Sequence, residues 1–418
     1  MYDLAIMWDW VAFVVRWLHV ITAMAWIGAS FFFIALDLGL KKAPNMPAGA
    51  SGEEWQVHGG GFYHIQKYLV APENMPEHLI WHKWQSYTTW LSGAALLMIV
   101  YWAGAELFLI DAAKADLSVW QAIAVSAGSL TVGWVCYDFL CKSKLGETPT
   151  LLMVLLFIIL VVMSWGYNEV FTGRAALLHL GAFTATIMTA NVFFIIMPNQ
   201  RIVVADLKAG RTPDAKYGKI AKLRSTHNNY LTLPVIFLML SNHYPLAFGT
   251  EYSWIIAALV FLTGVTIRHY FNTLHATGTG PHWTWGITVI LFILIAWLST
   301  ANTWETDLEA AEDAALTRYE QEFVSAEGYD NVHDIILGRC SMCHAREPVW
   351  DGIRWAPNGV FLETQGDIAR AARQIYLQAG VSHAMPPANI TGLPDTDRAA
   401  IVKWYRAATD KSMASLSQ

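Results

Sequence analysis

The stretch Trp17–Asp37, WLHVITAMAWIGASFFFIALD, decides the fold class, because it is apolar over its whole length and carries one ionisable side chain, His19, before Asp37. A membrane-spanning helix needs about 20 predominantly apolar residues. The stretch lies in a longer apolar segment, 8–36, which lacks a basic start and is too long for a cleavable signal peptide. We therefore expect it to remain as a membrane span.

The chain as a whole is also strongly apolar. Of its 418 residues, 55% are hydrophobic and 14% are charged, whereas a soluble protein is about 25% charged. The sequence predicts an all-α fold, a polytopic bundle of eight transmembrane helices followed by a small α-helical monohaem cytochrome c domain. The eight predicted spans are 8–36, 84–110, 118–140, 150–167, 174–197, 229–247, 252–270 and 282–301.

Charge separates the two predicted parts. Residues 301–418 carry 10 Lys and Arg against 17 Asp and Glu, while residues 1–300 carry 17 against 16. We predict a membrane domain over 1–301, an acidic connector over 302–322 and a cytochrome c domain over 323–418. Neither part has the basic face of a nucleic-acid-binding protein, so no nucleic acid is expected as a partner.

The distribution of basic residues between the spans predicts the orientation. One set of loops carries nearly all of them, including Arg201, Arg224 and Arg268, and the opposite set carries only Lys114 and Arg174. Because Lys and Arg accumulate on the cytoplasmic side, the N-terminus and the C-terminal domain are expected outside, in the periplasm of a bacterium, with the spans in its inner membrane.

The C-terminal part holds the motif CSMCH, with Cys340, Cys343 and His344. Two thiols can bind the vinyl groups of haem while the histidine that follows ligates the iron, so the motif predicts a covalent haem c. A zinc half-site and a redox-active thiol pair are the alternatives. In HAMPPANITGL, 383–393, Met385 precedes two prolines and is the predicted second axial ligand, with His383 as its competitor.

The membrane part shows a 4+4 internal repeat. Span one carries WLHVITAMAWIGASFFFI and span five carries LLHLGAFTATIMTANVFFII, each with a histidine about four turns before Phe-Phe-Ile. Ionisable side chains within a bilayer usually face an interior site, so Arg16, His19 and His179 are candidate catalytic residues. The two histidines could instead ligate a b-type haem, or each could simply hydrogen-bond a neighbouring helix.

A second polar group lies towards the predicted cytoplasmic side. Arg201 with His227 and Asn228 is an alternative substrate site, although Arg201 is equally typical of an ordinary positive-inside charge. We interpret most of the other histidines near this face as polar loop residues.

The stretch Trp17–Asp37, together with MPNQRIVVADL (197–207), STHNNYLTLPVIFLMLSNHYP (225–245) and the fused CSMCH domain, resembles the bacterial membrane-bound, cytochrome c-linked urate oxidase family. The resemblance covers essentially the whole chain. It implies oxidation of urate to 5-hydroxyisourate in purine degradation. It also implies that electrons pass to the fused haem c and on to a periplasmic cytochrome c or a terminal oxidase.

The chemistry of urate indicates what its site requires. A planar, weakly acidic purine needs an arginine or amide donors, an aromatic face and a base. Arg16 with Trp17, His19 and Phe183 could supply these on the outer side. The main alternative is a quinol:cytochrome c oxidoreductase or a cytochrome subunit of a respiratory complex; a transporter or sensor with a redox domain is a third.

Overall fold

The computed structural model describes residues 4–69, 72, 75–300, 316–353 and 356–415, and they are mostly helical. The chain divides into two compact units. The membrane unit lies within Trp8–Asn242 and Leu246–Ala301, and the C-terminal unit is built mainly on the described residues after 315. Of the predicted acidic connector, 302–315 lies outside the described residues.

The helices up to residue 300 are α1 Leu4–Gly39, α2 Trp84–Leu96, α3 Ala105–Phe108, α4 Val119–Lys142, α5 Pro149–Val170, α6 Gly173–Ala190, α7 Met197–Lys208, α8 Ala215–Leu240, α9 Pro245–Phe248, α10 Ser253–Thr277 and α11 Trp283–Thr300. A π-helical turn, Leu97–Trp102, continues α2. A second π-helical turn, Asn191–Ile196, joins α6 to α7. Such turns widen the backbone spiral locally and frequently occur at functional sites.

Six helical segments are long and apolar enough to cross a membrane: Ile6–Gly39, Val119–Lys142, Pro149–Val170, Gly173–Lys208, Ser253–Thr277 and Trp283–Thr300. The predicted spans 84–110 and 229–247 are not among them. The first is divided between α2, a π-helical turn and the short α3. The second begins within α8, which starts in a basic sequence at Ala215 and ends at Leu240, and its remaining residues form a short 3-10 turn and part of α9. A count of eight spans therefore stays a prediction.

The loop after α1 corrects the all-α prediction. Strands β1 Ala50–His58 and β2 Gly61–Tyr68 pair antiparallel, and they are joined by Gly59 and Gly60, which have φ of 60° and 78°. Two residues with positive φ form the hairpin turn whose twist suits the strands, and glycine adopts it without a steric penalty. In the sequence, the pair Gly59–Gly60 was the feature from which this hairpin could have been predicted.

Helix α6 lies at the centre of the membrane unit. Buried residues make up 67% of the most apolar part of Gly173–Lys208, against 6% for α1. Close approach of neighbouring helices requires glycine, because a Cβ on Gly133 would overlap the ring of Phe183, and one on Gly264 would overlap Pro234. These contacts bring α4 against α6 and α10 against α8.

The C-terminal unit contains α12 Arg318–Val324, α13 Tyr329–Arg339, α14 Ser341–His344, α15 Gln365–Arg370, α16 Ala372–Ile375 and α17 Asp395–Ser415. Its core includes Phe323, Val332, Ile336 and Trp404. The Trp404 indole N–H donates to the Phe323 carbonyl over 2.9 Å. This hydrogen bond ties α17 to the end of α12.

Candidate functional site

The CSMCH motif begins where α13 ends. Cys340 follows the last residue of α13, and α14 holds Cys343 and His344. The His344 backbone N–H donates to the Cys340 carbonyl over 3.0 Å, and that of Cys343 donates to the same carbonyl over 3.1 Å. A single helical turn therefore places both thiols and the imidazole on one short element.

The His344 ring is oriented by one hydrogen bond. Its Nδ1 lies 2.8 Å from the Val360 carbonyl oxygen, which can only accept, so Nδ1 carries the proton. The remaining nitrogen, Nε2, is then a lone-pair donor. Metal-ligating histidines typically have this arrangement, in which a carbonyl fixes the tautomer of the ligand.

The loop around Met385 is held from both sides. The Met385 backbone N–H donates to the Gln378 carbonyl over 2.9 Å, and the buried guanidinium of Arg398 donates to the Met385 carbonyl over 2.9 Å. The Arg339 guanidinium, next to Cys340, donates to the Thr391 carbonyl over 2.8 Å. The motif and the methionine loop are thereby tied to each other.

Among the described residues after 315, the exposed large apolar side chains are Leu337, Val349, Phe361, Met385 and Ile390. A water-soluble unit normally buries such groups. A macrocycle attached to Cys340 and Cys343 would cover an apolar surface of this kind. The donor set and its surroundings therefore fit a covalent haem c.

Neither thiol has the properties of a redox-active pair. Burial raises the pKa of Cys340 to about 11, and burial also raises the pKa of Cys343, whereas redox-active thiols have a lowered pKa. The described residues contain no group of three or more His, Cys, Asp and Glu side chains arranged for a metal ion. The zinc alternative thus has no second pair of ligands in that part of the chain.

In the membrane unit, His179 is fully buried in what we call the His179 cluster: His179, Tyr101, Trp102, Ser126, Tyr167 and Phe171. Its Nδ1 lies 2.8 Å from the Ala175 carbonyl, and its Nε2 lies 2.8 Å from Ser126 Oγ. Trp102 Nε1 donates to the same Oγ over 2.9 Å. Both ring nitrogens are engaged in these contacts, and a b-type haem in the membrane unit stays a prediction.

His19 lies in different surroundings. Its Nδ1 is 3.0 Å from the Thr89 carbonyl and 3.1 Å from Ser92 Oγ, both on α2. Arg16 is half-buried on α1, three residues before His19. The ring of Tyr101 contacts the ring of His179, with their centres 5.9 Å apart.

The two aromatic residues proposed beside them lie in different surroundings. Trp17 is exposed on α1, and Phe183 is fully buried against Gly133.

A larger polar network, the Arg224 cluster, lies between α4, α6 and α8: Tyr137, Asp138, Asn191, Arg224, His227 and Asn228. Buried Arg224 donates to Asp138 Oδ1 over 2.6 Å and to Asn191 Oδ1 over 3.0 Å. The Tyr137 hydroxyl lies 2.7 Å from His227 Nδ1. His227 Nε2 is buried and has no hydrogen-bond partner among the described residues.

Sequence analysis found only part of this network. It named His227 and Asn228, but it paired them with Arg201, which lies exposed on α7. Arg224 was counted only among the basic loop residues, and Asp138 and Asn191 lie at the ends of apolar segments. An aspartate with an arginine near the end of a span was the available signal, since a buried charge requires a partner.

The match to a known family decides the identity of this membrane unit. Residues 5–299 match the family model described as urate oxidase N-terminal. The chain belongs to the urate oxidase N-terminal family. No curated protein and no solved structure matches the chain.

In this urate oxidase family member, the matched range contains the His179 cluster and the Arg224 cluster, and it ends before the CSMCH motif. The family therefore relates the membrane unit, rather than the C-terminal unit, to urate.

Proposed function

We propose that this protein oxidises urate to 5-hydroxyisourate and passes the electrons to a haem c bound through Cys340 and Cys343. The observation that carries the proposal is the urate oxidase family match over 5–299, joined in one chain to a CSMCH motif whose histidine keeps Nε2 available. The reaction adds the oxygen of one water to urate and releases two electrons and two protons.

The C-terminal residues divide the work of holding the cofactor. Cys340 and Cys343 would bind the macrocycle, and His344 Nε2 and Met385 Sδ would be the ligands of its iron. A haem c accepts one electron at a time, at a potential that a methionine ligand raises. Arg398 and Arg339 hold the methionine loop through carbonyl groups.

Arg16, His19 and His179 remain our proposed catalytic residues in the membrane unit. His19 uses Nδ1 for its hydrogen bonds to α2, so Nε2 is the nitrogen that could accept a proton from the attacking water. His179, with both nitrogens engaged, would position the ring of Tyr101 in the same cluster.

Apolar helices support a membrane location, and the basic loops favour a bacterial inner membrane with the C-terminal unit in the periplasm. A periplasmic cytochrome c or a terminal oxidase would then receive the electrons. In this proposal, oxygen does not react directly with urate.

The test is a visible spectrum of the purified, oxidised protein after urate is added without oxygen. We expect the absorption bands of reduced haem c to appear with urate. Full reduction by a quinol, with no change on addition of urate, would contradict the proposal and favour the respiratory cytochrome.

A further inference from the structure

A buried arginine without a counter-ion lies between α1, α8 and α10. Arg268 is 6% exposed, and it forms no ion pair with any carboxylate of the described residues. Its guanidinium lies 4.3 Å from the centre of the Phe31 ring. An unpaired buried charge is strongly unfavourable, so a bound anion would stabilise this arrangement.

The polar partners of Arg268 leave most of its donors free. Nε donates to Asn229 Oδ1 over 3.4 Å, and one terminal nitrogen donates to Asn272 Oδ1 over 2.9 Å. A guanidinium has five N–H groups, so three remain without a partner among these contacts.

Asn229 adds further donors at the same place. It is 1% exposed, and its Nδ2 is buried without any hydrogen-bond partner in the described part of the chain. Its orientation is determined, because its Oδ1 accepts from both Arg268 and Asn272, the latter over 2.9 Å. The site thus presents a positive charge and N–H donors, while its two amide oxygens, Asn229 Oδ1 and Asn272 Oδ1, already accept hydrogen bonds within the site.

Helix packing holds these groups together. Gly264, one turn before Arg268, has no Cβ and so lets Pro234 of α8 approach α10. Asn229 therefore lies within reach of Arg268 and Asn272. From the sequence, Arg268 was interpreted as a basic loop residue. In the structure it lies within α10, which continues to Thr277.

We infer that Arg268 and Asn229 bind the anionic edge of the substrate, a planar oxopurine anion such as urate. A guanidinium fork with an adjacent amide N–H suits the in-plane oxygen and nitrogen acceptors of such a ring. This inference rests on the proposed function, and it assigns initial substrate recognition to the site. Phe31, which Arg268 contacts, lies twelve residues after His19 on α1, about 18 Å along the helix, so the site is distinct from the proposed catalytic residues.

The experiment measures urate binding to the full-length protein after dithionite has reduced the haem, so that no turnover occurs. In Arg268→Gln we expect the urate Kd to rise about 30-fold or more, because truncating a buried charged partner removes its hydrogen bonds. Arg211→Gln is the matched control, since Arg211 is exposed and pairs with Asp206. Its urate Kd should equal that of the wild type.

Asn229→Asp keeps the test decisive if Arg268→Gln does not fold. The new carboxylate would be an internal counter-ion for Arg268, so it should raise Tm and weaken urate binding by at least about tenfold. A urate Kd within about twofold of wild type in the folded variants would overturn the inference.

Two further outcomes are distinguishable. Wild-type protein that urate neither binds nor reduces would contradict the proposed function itself. If phosphatidylglycerol raises the Tm of wild type but not of Arg268→Gln, and urate affinity is the same in both, the anion is a lipid phosphate and the inference is wrong.

Discussion

The membrane unit and the C-terminal unit bury opposite kinds of side chain. The membrane unit exposes apolar residues along α1 and α11 and encloses Arg224, Arg268 and His179. The C-terminal unit encloses an apolar core around Trp404 and exposes most of its charges. Each therefore satisfies the solvent expected around it, lipid for the first and water for the second.

Each unit also departs from its own pattern at its candidate site. The membrane unit leaves Arg268 without a counter-ion and His227 Nε2 without a hydrogen bond, among the described residues. The C-terminal unit leaves Phe361 and Met385 exposed beside its cysteine motif. A buried polar group without a partner indicates a polar ligand, and a cluster of exposed apolar side chains indicates an apolar ligand.

The largest expected effect concerns the cofactor of the C-terminal unit. The double variant Cys340→Ser/Cys343→Ser removes both thioether bonds proposed for haem c, so we expect the covalent haem band of the denatured protein to be lost, along with reduction by urate. Cys136→Ser, at an exposed cysteine of the membrane unit, is the control and should retain the full haem content. Equal haem content in both variants would refute the attachment site.

A smaller but still large effect is expected in the membrane unit. Arg224→Gln leaves Asp138 paired only with Lys142, which lies 2.6 Å away and is exposed. Breaking a buried ion pair costs roughly 3–5 kcal/mol, and we expect the lower end because Lys142 partly compensates. Tm in detergent is the measurement.

Arg211→Gln, at the exposed pair with Asp206, should cost about 0–1 kcal/mol. The comparison fails if the two arginine variants lose the same stability, because burial would then not distinguish them.

The smallest effect is a pH dependence of the C-terminal unit. Burial alone would raise the pKa of Asp367, but hydrogen bonds from Arg370 and Thr364 and the charge of Arg346 lower it below its ordinary 3.8. A lowered carboxyl pKa stabilises the fold above the pKa of the unfolded chain, and this stabilisation is lost as pH falls through the lower folded value.

Asp367→Asn should therefore have a lower Tm than wild type near neutral pH, and the difference should shrink as pH falls from about 6 to about 3. Unfolding of the full-length protein can be followed through the haem absorption bands. A difference that stays constant over this range would show that the Asp367 charge contributes nothing.

Periodicity and spacing predicted the apolar helices well, since length and hydropathy are local properties. They did not predict the π-helical turn and α3 within 84–110, nor the turn at Gly59–Gly60 that joins two strands. The partners of Arg224 on other helices were also missed. Its partners Asp138 and Asn191 lie 86 and 33 residues away in sequence, and only packing brings them together.

The sequence by itself determined the mainly helical, lipid-facing character of the first 300 residues, the acidic C-terminal part and the CSMCH motif. Composition and a five-residue motif are local, so they can be read without contacts. Only the tertiary structure decided that Arg224 has a carboxylate partner and Arg268 has none, that both nitrogens of His179 are engaged, and that His344 keeps Nε2 available. Pairing and burial depend on which distant side chains meet, because the energy of a charge is set by its neighbours rather than by its position in the chain.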